Sequence, residues 1–468
     1  MPKPVIFVPG YPGSELREAA SGRKAFLKLS TFVPAPDEGD LLRLHGPDDL
    51  LAADPIEAGP PIERFARFLL FDLGKQAKSL YDILEGLGID PVKLGWDWRR
   101  PVWDLRVQSD LEVAIRRLHQ QSGQRVTVIA HSTGGLVVRY LLEMKPELVD
   151  RIERLVCFGV PWAGVLKSLR FLAGVDPFVT VPAARAQALI ATTWAAFDLL
   201  PPDPTRTDMT DAAGNPLDLV IDGSGRQVSP LIKRGWFPAH LAAAMRPRAV
   251  AADRELGVRT PALQLGTRRL EVTNVVGWGS STAVQATISG SGAGQTISGW
   301  RIGADVLDGG DGTVPYRSAS WLRGADVTTY HLPVGFHSGA TQRKHSSLWR
   351  NPGGRNLLHH LLVGEALTPF VYTAVDEDDF GDLGADRVRV RISALRDDGA
   401  PIPQLSLRST DLVGQQLELE LQSTDGRHIV RVPRAAMRIV HQQMFRRFTL
   451  RLSWDGGSVD RVLIVRNA

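Results

Sequence analysis

The 468-residue chain has one cysteine, Cys157, which excludes an internal disulfide. It falls inside Leu155-Val156-Cys157-Phe158, where a buried structural thiol is expected. No apolar stretch approaches the roughly 18 residues of a spanning helix. The N-terminus lacks both the long apolar stretch and the small-residue cleavage site of a secretory signal, because Val5-Ile6-Phe7-Val8 already reads as a core strand. A soluble cytoplasmic protein is the expectation, with export by a signal-independent route as the alternative. The net charge of +4 is small for this length, and the arginines, which greatly outnumber the lysines, form no basic run. Nucleic-acid binding gains little support from that charge, whereas attraction to an acidic membrane surface stays open. The 11 histidines show no Cys/His spacing and no His-x-x-x-His pair, so neither a metal site nor a cofactor is expected. Gly290-Ser291-Gly292-Ala293-Gly294 lacks a P-loop lysine and a following helix pattern, and reads as a flexible hairpin.

What is present is a globular composition, 43% hydrophobic, on a chain longer than one ordinary domain. Short apolar runs alternate with helical patterns to about residue 365, which predicts an α/β sandwich around a largely parallel sheet. Strands are expected at Val5 to Val8, Val92 to Trp96, Val126 to Ala130, Arg154 to Gly159, Glu271 to Gly277 and Val327 to Leu332. Helices are expected at Leu73 to Leu87, Ser109 to Ser122, Gly135 to Met144 and Arg355 to Leu362.

The run Val126-Thr127-Val128-Ile129-Ala130-His131-Ser132-Thr133-Gly134-Gly135 is a buried strand breaking into a helix with serine at the break. This is the pattern of a nucleophile elbow. Ser132 on such a turn has a strained backbone, and the small residues Ala130 and Gly134 let the chains pass. The helix start supplies N–H groups and a positive dipole end for a developing oxyanion, so the Thr133 N–H is one expected donor. The first strand ends in the turn Val8-Pro9-Gly10-Tyr11-Pro12-Gly13-Ser14, at the sheet edge where α/β ligands bind, and the Tyr11 N–H is the second expected donor.

An activated serine needs a base, and the base needs an acid to hold its tautomer; in this fold class acid and histidine follow the serine in that order. The acid expected is Asp311, in Gly310-Asp311-Gly312-Thr313-Val314-Pro315, ahead of the less well placed Asp308 and Asp305. The base expected is His345, just before the last helix, with His337 in Gly335-Phe336-His337-Ser338 as the alternative. His131 reads as a core residue, and His331, His359 and His360 as structural or surface residues.

Residues 161 to about 262 interrupt the strand pattern with aromatics among proline breaks, as a cap over a pocket would. Trp162, Trp194, Phe197 and Trp236 are the candidates for lining an apolar acyl site, against the plainer reading that such rings hold the cap to the sheet. Residues 18 to 70 form a second, proline-rich excursion, read as a mobile loop near the mouth.

The chain resembles the lecithin:cholesterol acyltransferase family of α/β-hydrolases, which includes lysosomal phospholipase A2 and phospholipid-using diacylglycerol acyltransferases. Four blocks carry the likeness: Val8 to Ser14, Trp96-Asp97-Trp98-Arg99, Ala130 to Gly135 and Gly310 to Pro315, with Gly159-Val160-Pro161-Trp162-Ala163-Gly164 as a fifth. The resemblance implies a triad of Ser132, Asp311 and a histidine, an oxyanion hole at Tyr11 and Thr133, and a structural salt bridge between Asp97 and Arg99. It implies an enzyme acting on carboxylic esters of lipids, by hydrolysis or by transfer of the acyl group to a lipid alcohol. A non-catalytic binding or assembly module on the same fold is the rival from another class. The animal members carry a lid disulfide and a secretion signal absent here, which favours a bacterial-type intracellular lipase or esterase over a lipoprotein or lysosomal role.

After about residue 368 the texture changes to short alternating strands, among them Arg387 to Ile392, Leu417 to Leu421 and Phe448 to Leu452, with hairpin signals at Asp398-Gly399, Asp425-Gly426 and Asp455-Gly456. A catalytic domain over 1–367 and a small antiparallel β-sandwich over 368–468 are expected. The acidic stretch Asp376 to Asp379 marks the linker. For this addition, contact with lipid or protein and simple stabilisation are equally open readings.

Overall fold

The computed structural model describes residues 3–25, 54–63, 75–176, 190, 193–201, 208–216, 263, 265–278, 280–289, 296–303, 309–324, 326–334 and 345–365, together with strands at 387–393, 405–407, 427–433, 438–440, 445–454 and 457–466. Six strands form the central sheet: β1 (Val5–Val8), β2 (Val92–Lys93), β3 (Val126–His131), β4 (Ile152–Phe158), β5 (Glu271–Trp278) and β6 (Val327–Pro333). Their order is β6-β5-β4-β3-β1-β2, and every neighbouring pair is parallel. All six therefore end at one edge. Such strands are covered on both faces, which is why β1 and β3 are buried at every position instead of alternating.

The long helices are α1 (Lys75–Gly86), α2 (Leu105–Ser122), α3 (Thr133–Met144) and α4 (Pro352–Val363). Ile6, Val8, Val128, Leu141 and Leu155 belong to one apolar layer, and Phe7, Ile129, Val156, Leu348 and Leu358 to the other. Cys157 is buried in the first of these, where desolvation pushes its thiol pKa up. α2 begins four residues before its expected start because Asp104 caps it, accepting from the Arg106 N–H at 2.9 Å. β2 is shorter than expected. The chain leaves the sheet at Leu94, and the Trp96 and Trp98 indoles donate instead to the Pro9 and Ser14 carbonyls, at 2.8 and 3.1 Å.

The 18–70 excursion is not a loose loop where it is described. Ile56–Pro61 pairs antiparallel with Ser14–Glu18, and Asp54 is buried against Arg99. A strand order of Thr296–Gly303, Thr282–Ser289 and Met209–Asp211 makes a small separate sheet that the expected pattern lacked, although Thr282–Ser289 alternates buried and half-buried residues throughout. The glycine-rich stretch 290–294 lies outside the described residues; the strands flanking it pair antiparallel, Ser289 opposite Thr296. Leu417 to Leu421 and all three Asp-Gly hairpin signals also lie outside them. The C-terminal strands pair antiparallel with one another, Phe445–Trp454 with Gly457–Arg466 and Arg387–Ser393 with Arg427–Pro433. Among the described residues no helix is long and apolar enough to cross a membrane.

Candidate active site

Ser132 follows the last residue of β3 with φ 52° and ψ −131°, and among the described residues it is the single non-glycine at positive φ. Such a conformation costs about 1–3 kcal/mol and persists only where its surroundings hold it. Here the Ser132 N–H donates to the Phe158 carbonyl at 2.9 Å, and its own carbonyl accepts from Gly135 at 2.9 Å. Gly134 allows the close passage that the elbow requires: a Cβ there would lie 2.5 Å from the Val8 carbonyl oxygen. The 9–14 turn abuts the serine, since a Cβ on Gly10 would lie 3.2 Å from Ser132 Oγ.

The turn is held through both its backbone, where the Gly13 carbonyl accepts from the Ile62 N–H at 2.9 Å, and the Tyr11 side chain. The Tyr11 hydroxyl donates to Thr193 Oγ1 at 3.0 Å, its ring meets Trp98 edge to face, and burial pushes its phenol pKa up. Thr133 is the first residue of α3, where N–H groups have no acceptor in the preceding turn.

Asp311 is fully buried on the loop after β5, and that loop is tied to the strand end by reciprocal Ser280–Gly310 backbone bonds. Its Oδ1 accepts from the Thr313 and Val314 N–H groups at 3.0 and 2.7 Å, so Oδ2 is the oxygen turned to His345 Nδ1, at 2.7 Å. The His345 N–H also donates to the Asp311 carbonyl, at 2.9 Å. Acid and base are thus locked through both side chain and backbone. His337, the alternative base, lies outside the described residues.

His131 does more than pack against the core. Its Nε2–H donates to the His345 carbonyl at 3.0 Å, and the two rings lie 4.7 Å apart at 39°. Burial first, and the nearby His345 second, hold its pKa well below the ordinary histidine range, so this ring is neutral. Trp349 lies edge-on to His131 at 5.1 Å and donates from its indole to Ser79 of α1 at 2.9 Å. The only sequence signal for this role is adjacency to the serine. Gly159, at φ 56°, forms the floor: a Cβ there would lie 3.0 Å from both Asp311 Oδ2 and His345 Nδ1.

The segment that follows β2 carries a buried charge cluster. Arg99 pairs with Asp97 through Nε and Nη2, at 2.9 and 2.6 Å, and reaches Asp54 at 2.7 Å. Arg100 reaches Asp54, Asp97 and Asp104. Desolvation alone would lower the Arg99 pKa, but the Asp97 and Asp54 carboxylates outweigh it and raise it. The cluster joins the 54–63 strand to the α2 cap, and the Arg99 carbonyl accepts from the Trp194 N–H at 2.7 Å.

The aromatic candidates divide. Trp162 is wholly buried, donates to Asn274 of β5 at 3.0 Å and belongs to the main core. Trp194 is 2% exposed and packs edge-on to Trp103. Trp162 is thereby tied to the central sheet and Trp194 to the segment that leads into α2. Phe197 lies in the short helix Ala195–Asp198, and Trp236 lies outside the described residues, as do Asp305 and Asp308. His331 is structural, at hydrogen-bond distance from the Tyr316 hydroxyl, while His359 and His360 sit near the end of α4. Among the described residues no group of three or more His, Cys, Asp or Glu could hold a metal ion.

Residues 71–220 match the lecithin:cholesterol acyltransferase family. The matched segment contains Asp97, Arg99, Ser132 and Thr133, whereas Tyr11, Asp311 and His345 lie outside it. The chain is 37% identical over 84 residues to the rat lysosomal phospholipase A and acyltransferase, which is 17% of this chain and 20% of that protein. It is 38% identical over 84 residues to the chicken phosphatidylcholine-sterol acyltransferase, with 17% and 20% covered. It thus spans about a fifth of the length of these curated relatives. Similar solved structures include the Tle4-Tli4 complex, at 14% identity and TM-score 0.47 over 76% of this chain and 96% of that one. The mature lipase BlEst2 of Bacillus licheniformis is also similar, at 12% identity and TM-score 0.35 over 77% and 92%.

Proposed function

We propose that this chain is a serine hydrolase that cleaves carboxylic esters of lipids through an acyl-enzyme, with Ser132 as nucleophile, His345 as base and Asp311 as acid. The observation that carries the reading is the 2.7 Å Asp311–His345 bond, tied to the residue before a serine at positive φ by the His131–His345 hydrogen bond. With its Nδ1 proton held by Asp311, His345 has its Nε2 lone pair available for the serine proton. Ser132 Oγ bonds to the ester carbonyl carbon as its proton passes to Nε2, and the carbonyl oxygen becomes an oxyanion bound by the Tyr11 and Thr133 N–H groups. Collapse breaks the ester C–O bond, and Nε2–H protonates the leaving alcohol. An acceptor hydroxyl then repeats the sequence, regenerating Ser132. Each oxyanion donor is worth about 3–4 kcal/mol in the transition state.

Water as acceptor completes hydrolysis; a lipid alcohol completes acyl transfer. The rat relative is named for both phospholipase and acyltransferase activity, which supports keeping transfer as the second outcome. The reading extends to a cap over 161–262, with Phe197 and Trp236 as its acyl-facing aromatics, within a catalytic domain spanning 1–367, and to a β-sandwich over 368–468. Reaction of the protein with a fluorophosphonate probe, and turnover of p-nitrophenyl esters of graded chain length and of phospholipids, test it, with Ser132→Ala as control. Labelling and turnover that both vanish in the variant are expected. Folded protein that takes no label would instead favour a binding or assembly module.

A further inference from the structure

Arg387–Ser393 and Arg427–Pro433 pair antiparallel, with Arg389 opposite Arg431, Ser393 opposite Arg427, Arg391 opposite Ile429 and Arg387 opposite Pro433. Successive residues of a strand belong to opposite faces, and directly opposed residues share one. Arg387, Arg389, Arg391, Arg427 and Arg431 therefore lie on one face of the ribbon with Ser393, Ile429 and Pro433, and Val388, Val390, Ile392, Val430 and Val432 lie on the other with His428. Neither strand contains an acidic residue. No linear run of basic residues announces this grouping; the strand register creates it.

The two faces have opposite needs. A face of arginines is costly to bury and a face rich in valine and isoleucine is not, so packing favours the second. Arg389 directly opposite Arg431 is a like-charge pair, which destabilises the ribbon until an anion neutralises it. The guanidinium fork matches the geometry of phosphate oxygens. We propose that this arginine face docks the protein onto an anionic phospholipid surface through headgroup phosphates. The choice of a membrane among polyanions rests on the lipid-ester reading, since a docked enzyme meets a substrate that lies in the bilayer.

Flotation of full-length Ser132→Ala protein with vesicles of phosphatidylcholine alone, or mixed with phosphatidylglycerol, tests the docking without consuming lipid. Binding to the anionic vesicles alone is expected, weakening as salt screens the charges. Each arginine contributes about fivefold to such a partition, so replacing Arg387, Arg389 and Arg391 by Gln together should lower it about 100-fold. The same substitutions on the Ser132 background should leave hydrolysis of a soluble short-chain ester unchanged, which separates lost docking from lost folding. Should that variant misfold, Arg389→Gln with Arg431→Gln decides, at about 25-fold. Arginine-dependent vesicle binding by a protein that hydrolyses no ester would sustain the docking face while removing the ester reading. Equal binding to neutral and anionic vesicles, undiminished binding by a folded variant, or arginine-dependent binding to duplex DNA with none to vesicles would overturn it.

Discussion

Replacing Asp311 by Asn should decide which ring nitrogen of His345 carries the proton. In the native site Oδ1 of Asp311 accepts from two backbone N–H groups, Thr313 at 3.0 Å and Val314 at 2.7 Å, while Oδ2 faces His345 Nδ1. The amide oxygen of Asn must keep the first position, because an NH2 there would oppose two donors with a third. Its NH2 then faces His345 and donates to Nδ1. The ring is driven to the Nε2–H tautomer, whose proton occupies the position that must accept the serine proton. A wrong-tautomer histidine costs about 10⁴ in kcat in a triad of this geometry, or about 5 kcal/mol of barrier. Stability should hardly change, since the buried N–H groups of Thr313 and Val314 keep their acceptor. Asp311→Ala supplies the contrast: it orphans both, at about 1–3 kcal/mol each, and should lower the denaturation midpoint as well as the rate. Steady-state hydrolysis of a p-nitrophenyl ester, with urea melts alongside, checks both. An Asp311→Asn enzyme within tenfold of wild type would refute the assigned tautomer and acid.

Gly159→Ala should slow turnover about 10- to 100-fold, because the added methyl lies 3.0 Å from both Asp311 Oδ2 and His345 Nδ1 and drives them apart; kcat measured against KM checks that the loss is in chemistry. Arg99→Met should destabilise the fold by about 3–5 kcal/mol by stranding Asp97 and Asp54 without their main partner, read from the urea midpoint. His131 is held neutral by burial, so the unfolded chain binds its proton first as pH falls below about 6.5, and native stability should decline there. His131→Asn, which keeps a donor for the His345 carbonyl but does not titrate, should flatten that decline, as denaturation midpoints measured across pH would show.

Much of the scaffold was legible because its signals are local. The five-residue apolar run before Ser132 and the small residues around it announce a buried strand and its sharp exit, and the central strands fall within a few residues of their expected places. Where expectation and structure part, a contact distant in sequence intervened. β2 stops early because Trp96 finds a carbonyl at Pro9, 87 residues away. The 18–70 excursion was read as loose from its prolines, yet its Asp54 is drawn inward by Arg99, 45 residues downstream. Trp162 and Trp194 stand in the sequence among other cap aromatics; their contacts with Asn274 and Trp103 are ones that no local pattern names.

By itself the sequence determined roughly where the central strands lie, that Ser132 stands at a strained exit from one of them, and which acids and histidines could serve it. Only the tertiary structure decided that Asp311 meets His345 across 34 residues and that His131 holds the His345 carbonyl across 214. Likewise, only strand register set Arg427 and Arg431 on the face that Arg387, Arg389 and Arg391 share. The division follows from the range of the forces. Hydrophobic periodicity and backbone sterics act within a few residues and leave their mark in the order of amino acids, whereas hydrogen bonds and ion pairs between remote segments exist only once the packed sheet brings those segments within about 3 Å.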